Sequence, residues 1–207
     1  MVDPPSPDIA PADFFERWLP EAFAAAELPP AARELDLLLG VRLEGEGGGE
    51  WVLHLREGAL EVRAEPRNEA SFTIVQSVED WRGALFEGRG GPFGRQAAGL
   101  FRPGEEAGRG PELTPAILQQ LQALRGLIRM VVSGPAGDWS VAFLLGPGDI
   151  PAEPTTTVTV SEEDAAAMER GEVDPLQAFM AGRVRIAGDM ALLMQMQAIQ
   201  MQAQAGG

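Results

Sequence analysis

"TTVTVSEEDAAAMERGEVDPLQAFMAGRVRIAGDM" (residues 156–190) decides the fold, because its apolar period changes repeatedly within one short run. Val158 and Val160 alternate with threonines, the period of a half-buried strand. Ser161 and Asp164 then stand three residues apart, the spacing at which a hydroxyl accepts from a first-turn N–H and an acid favours the helix N-terminus. Asp174 and Pro175 cap and open a second short helix, Gly182 stops it, and 183–187 alternates again as a strand. Asp189 begins a last helix. Strand, helix, helix, strand, helix in this order is an α+β pattern.

Working outward, the same grammar is found twice. "GVRLEGEGGGEWVLHLREG" (40–58) and "GLIRMVVSGPAGDWSVAFLLG" (126–146) each run a strand bearing an arginine, Arg42 or Arg129, into a glycine-rich turn. Gly49-Glu50-Trp51 and Gly137-Asp138-Trp139 follow, each with a glycine seven residues past the tryptophan, Gly58 and Gly146. Both read as hairpins. "SFTIVQSVEDW" (71–81) repeats the strand-to-cap pattern with Ser77 and Asp80. Neither serine is assigned as a nucleophile, since no base stands ready to activate it and the spacing is that of a helix start. Ahead of the hairpins, "PPAARELDLLLG" (29–40) and "TPAILQQLQALRG" (114–126) read as helices. In the second, Thr114 is the N-cap, and Ile117, Leu118, Leu121 and Leu124 share a face.

The two halves differ at their ends. "PADFFERWLPEAFAAAEL" adds one or two amphipathic helices anchored by Phe14, Phe15, Trp18 and Phe23. After Gly88, the first half offers a glycine-rich loop with one short helix around Gln96 to Leu100, then a linker. Two units are therefore expected: 1–110, a reduced copy with leading helices, and 111–207, the fuller one.

Composition removes several functions. The chain has 207 residues with a formal charge of −15, and its 16 basic residues are all arginine. Affinity for nucleic acid comes from cations replacing counterions, so no nucleic-acid partner is expected. Schiff-base and P-loop chemistry need a lysine, which the chain lacks. Without cysteine there is no thiolate, disulfide or cysteine metal site. The single histidine, His54, sits in an alternating strand and builds neither a zinc site nor a triad alone. Neither an enzyme nor a cofactor is expected. The first residues have no basic start or apolar run, so the expected location is cytoplasmic.

The motifs of 156–190, together with the Gly-Asp-Trp hairpin, resemble the sterol carrier protein domain, also called the non-specific lipid-transfer domain. Ser-x-x-Asp, Gly171, Asp174-Pro175, Ala178-Phe179, Gly182 and Gly188-Asp189 carry the likeness. It covers about 114–204, with a partial copy at about 31–88. The resemblance implies a mostly antiparallel sheet covered by helices on one face. Between them it implies an apolar tunnel for fatty acids, sterols or similar lipids, with no chemistry done there. Arg183 and Arg185 stand where the family often has lysines.

The last helix has no charged side chain after Asp189. Met190, Met194, Gln197 and Met201 fall on one face, with Leu192, Met196 and Ile199 beside it. With five glutamines in about sixteen residues it is a poor membrane span and has no basic face for a membrane surface, so no stable insertion is expected. Methionine repacks readily around variable apolar shapes. Expected lining residues are Phe179, Met180, Ile186, Met190, Leu193, Met194, Gln197 and Met201, with Trp139 and Phe143 from the sheet. Gln195, Gln197 and Gln200 are candidates to meet a neutral headgroup. The function expected is binding of an apolar lipid, extended to its transfer inside the cell. The second reading is an interaction module, in which the Met-rich helix joins a protein partner or a second copy.

Overall fold

The computed structural model describes residues 2–27, 36–67, 69–103, 119–120 and 122–205. Among the described residues, eight strands form one mixed sheet: β1 (Asp36–Glu44), β2 (Gly49–Arg56), β3 (Ala59–Arg63), β4 (Phe72–Ser77), β5 (Gly126–Gly134), β6 (Gly137–Leu145), β7 (Thr156–Ser161) and β8 (Val184–Gly188). The order is β3-β2-β1-β4-β6-β5-β7-β8. Both Gly-acid-Trp segments open the second strand of an antiparallel hairpin, with Val41 opposite Trp51 and Val132 opposite Trp139. In each half the next strand of the Ser-x-x-Asp pattern lies parallel to the first hairpin strand, β4 beside β1 and β7 beside β5. The halves join where β4 pairs antiparallel with β6.

Two expectations are corrected in the first half. Residues 29–35 of the helix read over 29–40 lie outside the described residues, but 36–40 are strand, Asp36 to Gly40 pairing with Arg56 to Val52. A run of three leucines carries no period of its own, and the β2 partner decides it. Strand β3 was not anticipated. It returns from β2 through Glu57 and Gly58, whose φ values of 53° and 76° are those of a tight turn twisted to suit a hairpin. In the second half, 119–120 and 122–123 are helical as read, while Thr114 to Leu118 and Leu121 lie outside the described residues.

Besides the helical residues at 119–120 and 122–123, the described residues form the helical segments α1 (11–25), α2 (78–87), α3 (Gly91–Gly99), α4 (Glu162–Glu169), α5 (Pro175–Met180) and α6 (Met190–Ala205). The caps follow the sequence: Ser77 Oγ accepts from the Asp80 N–H and Ser161 Oγ from the Asp164 N–H, at 2.9 and 3.0 Å. Above the first half, Phe14 and Phe15 of α1, Trp81 of α2 and Phe101 after α3 pack on Val41, Leu43, Trp51 and Ile74. Farther along that face, Leu192 and Ile199 of α6 pack with Leu124, Ile128 and Leu145. On the opposite face a smaller cluster, Val75, Leu127, Ala142 and Leu144, is covered by Ile150.

Candidate functional site

The helices leave a hollow over the outer strands of the second half. Cross-strand pairs Val158–Ile186 and Val160–Val184 form its floor. Backbone physics sets the floor and one wall together. Thr156 Oγ1 donates to the Asp189 carbonyl at 2.7 Å, and the Asp189 N–H donates to the Thr155 carbonyl at 2.9 Å. Asp189 Oδ1 then accepts from the Ala191 N–H at 2.8 Å, so α6 starts at the edge of β7 and lays Met190, Leu193 and Met194 along the hollow. Asp174 caps α5 at the N–H groups of Leu176 and Gln177, which sets Leu176 and Phe179 on another side.

The remaining wall comes from the first half. Ala84, Leu85 and Phe86 of α2 and Pro92, Phe93, Arg95 and Gln96 of α3 face the cavity, whose volume is about 1240 Å³ and which is open to solvent along part of its surface. Two contacts seat that wall. Gly90, with φ 79°, lies so close to the Trp139 indole that an added Cβ would come within 2.5 Å of it. Arg89 donates to the Asp138 carbonyl at 3.0 Å and to Glu79 at 3.1 Å. The helix expected only around Gln96 to Leu100 in fact begins at Gly91, and what read as a loop is a wall of the cavity.

Of the lining residues expected from sequence, Phe179, Ile186, Met190, Leu193 and Met194 meet in the hollow. Four others lie elsewhere. Trp139 is buried in the core beneath the seam between the halves, and its indole N–H donates to the Asp80 carbonyl at 2.8 Å. Phe143 stacks on Phe72 with ring centroids 5.5 Å apart. Met180 and Met201 are 79% and 59% exposed and do not line the cavity. The Gln197 side chain is outside the described residues. Sequence reading missed Leu85, Phe86, Phe93 and Arg95. Their signal was the apolar pairs Leu85-Phe86 and Leu100-Phe101, broken by glycines that hid the helical period.

Most of the lining is apolar; its charged side chains are Arg95, Arg102 and Glu169. Arg95 of α3 and Glu169 of α4 form an ion pair at 2.6 Å that bridges the halves at the cavity wall. In the turn after α4, hydrogen bonding from Arg170 holds the Glu172 carboxyl below its ordinary range, and the same bond raises Arg170. His54 lies on β2, away from the hollow, with Nε2 2.8 Å from Asp36 Oδ1. Among the described residues no group of three or more His, Cys, Asp or Glu side chains is arranged to hold a metal. None of their helices is long and apolar enough to cross a membrane.

Residues 110–201 match the SCP-2 sterol transfer family. The chain is 34% identical to sterol carrier protein 2 of Rattus norvegicus over 79 residues, which are 35% of this chain and 14% of that protein. It is 31% identical to stomatin-like protein 1 of Mus musculus over 97 residues, 43% of this chain and 24% of that one. The matches thus span a quarter or less of either relative. The solved sterol carrier protein domain 2 of Helicoverpa armigera is similar at 29% identity over 41% of this chain and 72% of that chain, with a TM-score of 0.31. The resemblance of the second half to the sterol carrier protein family is confirmed.

Proposed function

We propose that this chain, whose residues 110–201 match the SCP-2 sterol transfer family, binds one apolar lipid in the hollow over β7 and β8 and carries it without chemical change. The observation that supports this most is the cavity itself. Its volume of about 1240 Å³ is at or above the size of typical small-molecule pockets, roughly 300–1,000 Å³, and hydrocarbon lines most of it. Leu176, Met190 and Met194 stand exposed along it. An alkyl chain lying over them removes apolar surface from water, a gain of about 1 kcal/mol or more for each side chain covered. Methionines suit a wall that adapts to different chains.

The matching strand pairings in the two halves support descent from one repeated unit, with 1–110 the reduced copy and 111–207 the lipid-binding one. In the reduced copy the aromatic side chains occupy the volume that lipid takes in the other. We place the protein in the cytoplasm, with an apolar lipid and neither nucleic acid nor cofactor as its ligand. Native mass spectrometry of freshly purified protein should report a bound mass near one lipid per chain, lost on solvent extraction and regained on adding fatty acid. No bound mass and no uptake would end this reading.

A second reading rests on Met180 and Met201, which are exposed outside the hollow. There, α5 and α6 dock a protein partner or a second copy. Replacing both with glutamine should leave lipid uptake intact. If it instead abolishes self-association or partner capture in a protein that takes up no lipid, the interaction reading replaces the carrier.

A further inference from the structure

We infer that the protein has a second binding site, on the sheet face away from the hollow, where Arg67 and Thr73 take a small monovalent anion of halide size. The site is independent of the lipid reading above.

Among the described residues four polar or charged side chains are buried: Arg67, Thr73, Gln76 and Thr156. Two of them are satisfied. Gln76 donates to the Ser140 carbonyl at 3.1 Å, and Thr156 donates to the Asp189 carbonyl. The other two are not, and they are neighbours. Arg67, 4% exposed, donates through Nη1 to the Gly148 carbonyl at 2.8 Å, but its Nε–H has no acceptor. Thr73 has no solvent exposure and no partner for Oγ1. Gly40 marks where they meet: a Cβ added there would lie 2.5 Å from Thr73 Oγ1 and 3.0 Å from Arg67 Cβ. A further unpartnered donor, the Trp81 indole N–H, lies in the aromatic roof and carries no charge.

Thr73 shares its side of β4 with Val75, which places this spot on the face opposite the hollow. Thr73 pairs with Gly40 of β1 and with Leu144 of β6, at the join of the two halves. Arg67 comes from the first half and Gly148 from the second.

No carboxylate among the described residues compensates Arg67. Its neighbour Glu65 pairs with Arg63, and Glu69 and Asp149 are exposed. Arg89, the other arginine with a largely covered side chain at the join, is flanked by Glu79 and Asp80. Taking a cation out of water without a counter-charge is costly, so buried charges are normally paired. The chemistry of the missing group follows from what is left unmet. An arginine N–H only donates and a threonine hydroxyl can donate, so the partner is an acceptor. A water, or a bond between the two side chains, would fill the hydrogen bonds and leave the charge; an anion answers both. It must be small, because the same position over Gly40 is 3.1 Å from Ala70 Cβ.

Thermal melting of the full chain, titrated with sodium bromide against sodium gluconate at constant ionic strength, tests the site. The wild type should gain roughly 3–6 °C for each tenfold rise in bromide beyond its dissociation constant, while gluconate is too bulky to enter. Arg67→Met should abolish the bromide response whatever its own midpoint. Thr73→Val, which keeps the shape and removes the hydroxyl, should shift the response to higher bromide. No response in the wild type, or one that survives Arg67→Met or Thr73→Val unchanged, overturns the anion site and leaves the lipid reading standing.

Discussion

One sheet face carries two opposite solutions to the same problem. Over β1 and β4 it is roofed by aromatic rings. Phe15 stacks on Trp51 at 4.8 Å, and Phe14 meets Trp81 edge-on at 5.1 Å. Phe14, Phe15 and Trp81 are essentially without solvent exposure. Over β7 and β8 the sheet presents Val158, Val160, Val184 and Ile186, and the helices around them leave about 1240 Å³. The topology beneath is alike in both places, a hairpin followed by a parallel strand and a capped helix. What differs is whether a helix drops large rings onto the floor. Interiors are close-packed wherever side chains reach, so a hollow of this size means that α4, α5 and α6 withhold them.

The contrast can be broken by mutation, beginning with the largest effect. Phe15→Ala opens a void in the packed half and should destabilise the protein by about 3–5 kcal/mol in urea titrations. Phe179→Ala, at the wall of the hollow, should lower stability by much less, under about 2 kcal/mol, because one side of the ring already lacks a partner. Equal losses at the two sites would mean that the second half is packed like the first.

Gly90→Ala should come next, at about 2–4 kcal/mol. A left-handed backbone disfavours any side chain there, and the new methyl meets the Trp139 indole. Because this contact seats α3, the variant should also weaken lipid uptake, measured by displacement of a fluorescent fatty acid.

Val158→Phe supplies the ring that the second half lacks. Its effect on the unfolding midpoint should be small, within about 1.5 kcal/mol, since the added volume enters empty space. Uptake of lipid should fall sharply. Loss of folding with uptake retained by the remaining native fraction would sharpen the contrast in the other direction, placing the ligand away from the floor.

The smallest effect belongs to Glu172→Gln. Its hydrogen bond to Arg170 lowers the folded pKa of Glu172, so the contribution is present above the ordinary carboxylate range and lost as pH falls through the folded value. The melting temperatures of wild type and variant should therefore converge on acidification, from a small difference at neutral pH that solvent screening limits.

How much of this was legible follows from the range of the interactions. Ser77, Ser161, Asp174 and Asp189 announced helix starts because a cap is settled within three residues, and each one bonds the N–H groups that its spacing implied. The two Gly-acid-Trp hairpins were legible for the same reason. The leucines at 37–39 were misread because a uniform apolar run takes its conformation from a partner strand. Trp139 was placed in the cavity as an aromatic on a strand, yet its N–H is spoken for by the Asp80 carbonyl and its ring by Gly90. Five of the eight lining residues expected on α5, β8 and α6 do meet there, since that run is continuous in sequence. The α3 wall was not foreseen, because it depends on residues near 84–102 folding over others near 158–194, and glycines obscured its period.

The most direct measurement is isotope-filtered NMR of the full chain with methyl-labelled Val, Ile and Met and a protonated long-chain fatty acid. The account predicts intermolecular contacts from the alkyl chain to the methyls of Val158, Ile186 and Met194. Contacts confined to Val75 or Ile150 on the opposite face, or to Met180 and Met201 alone, would contradict it.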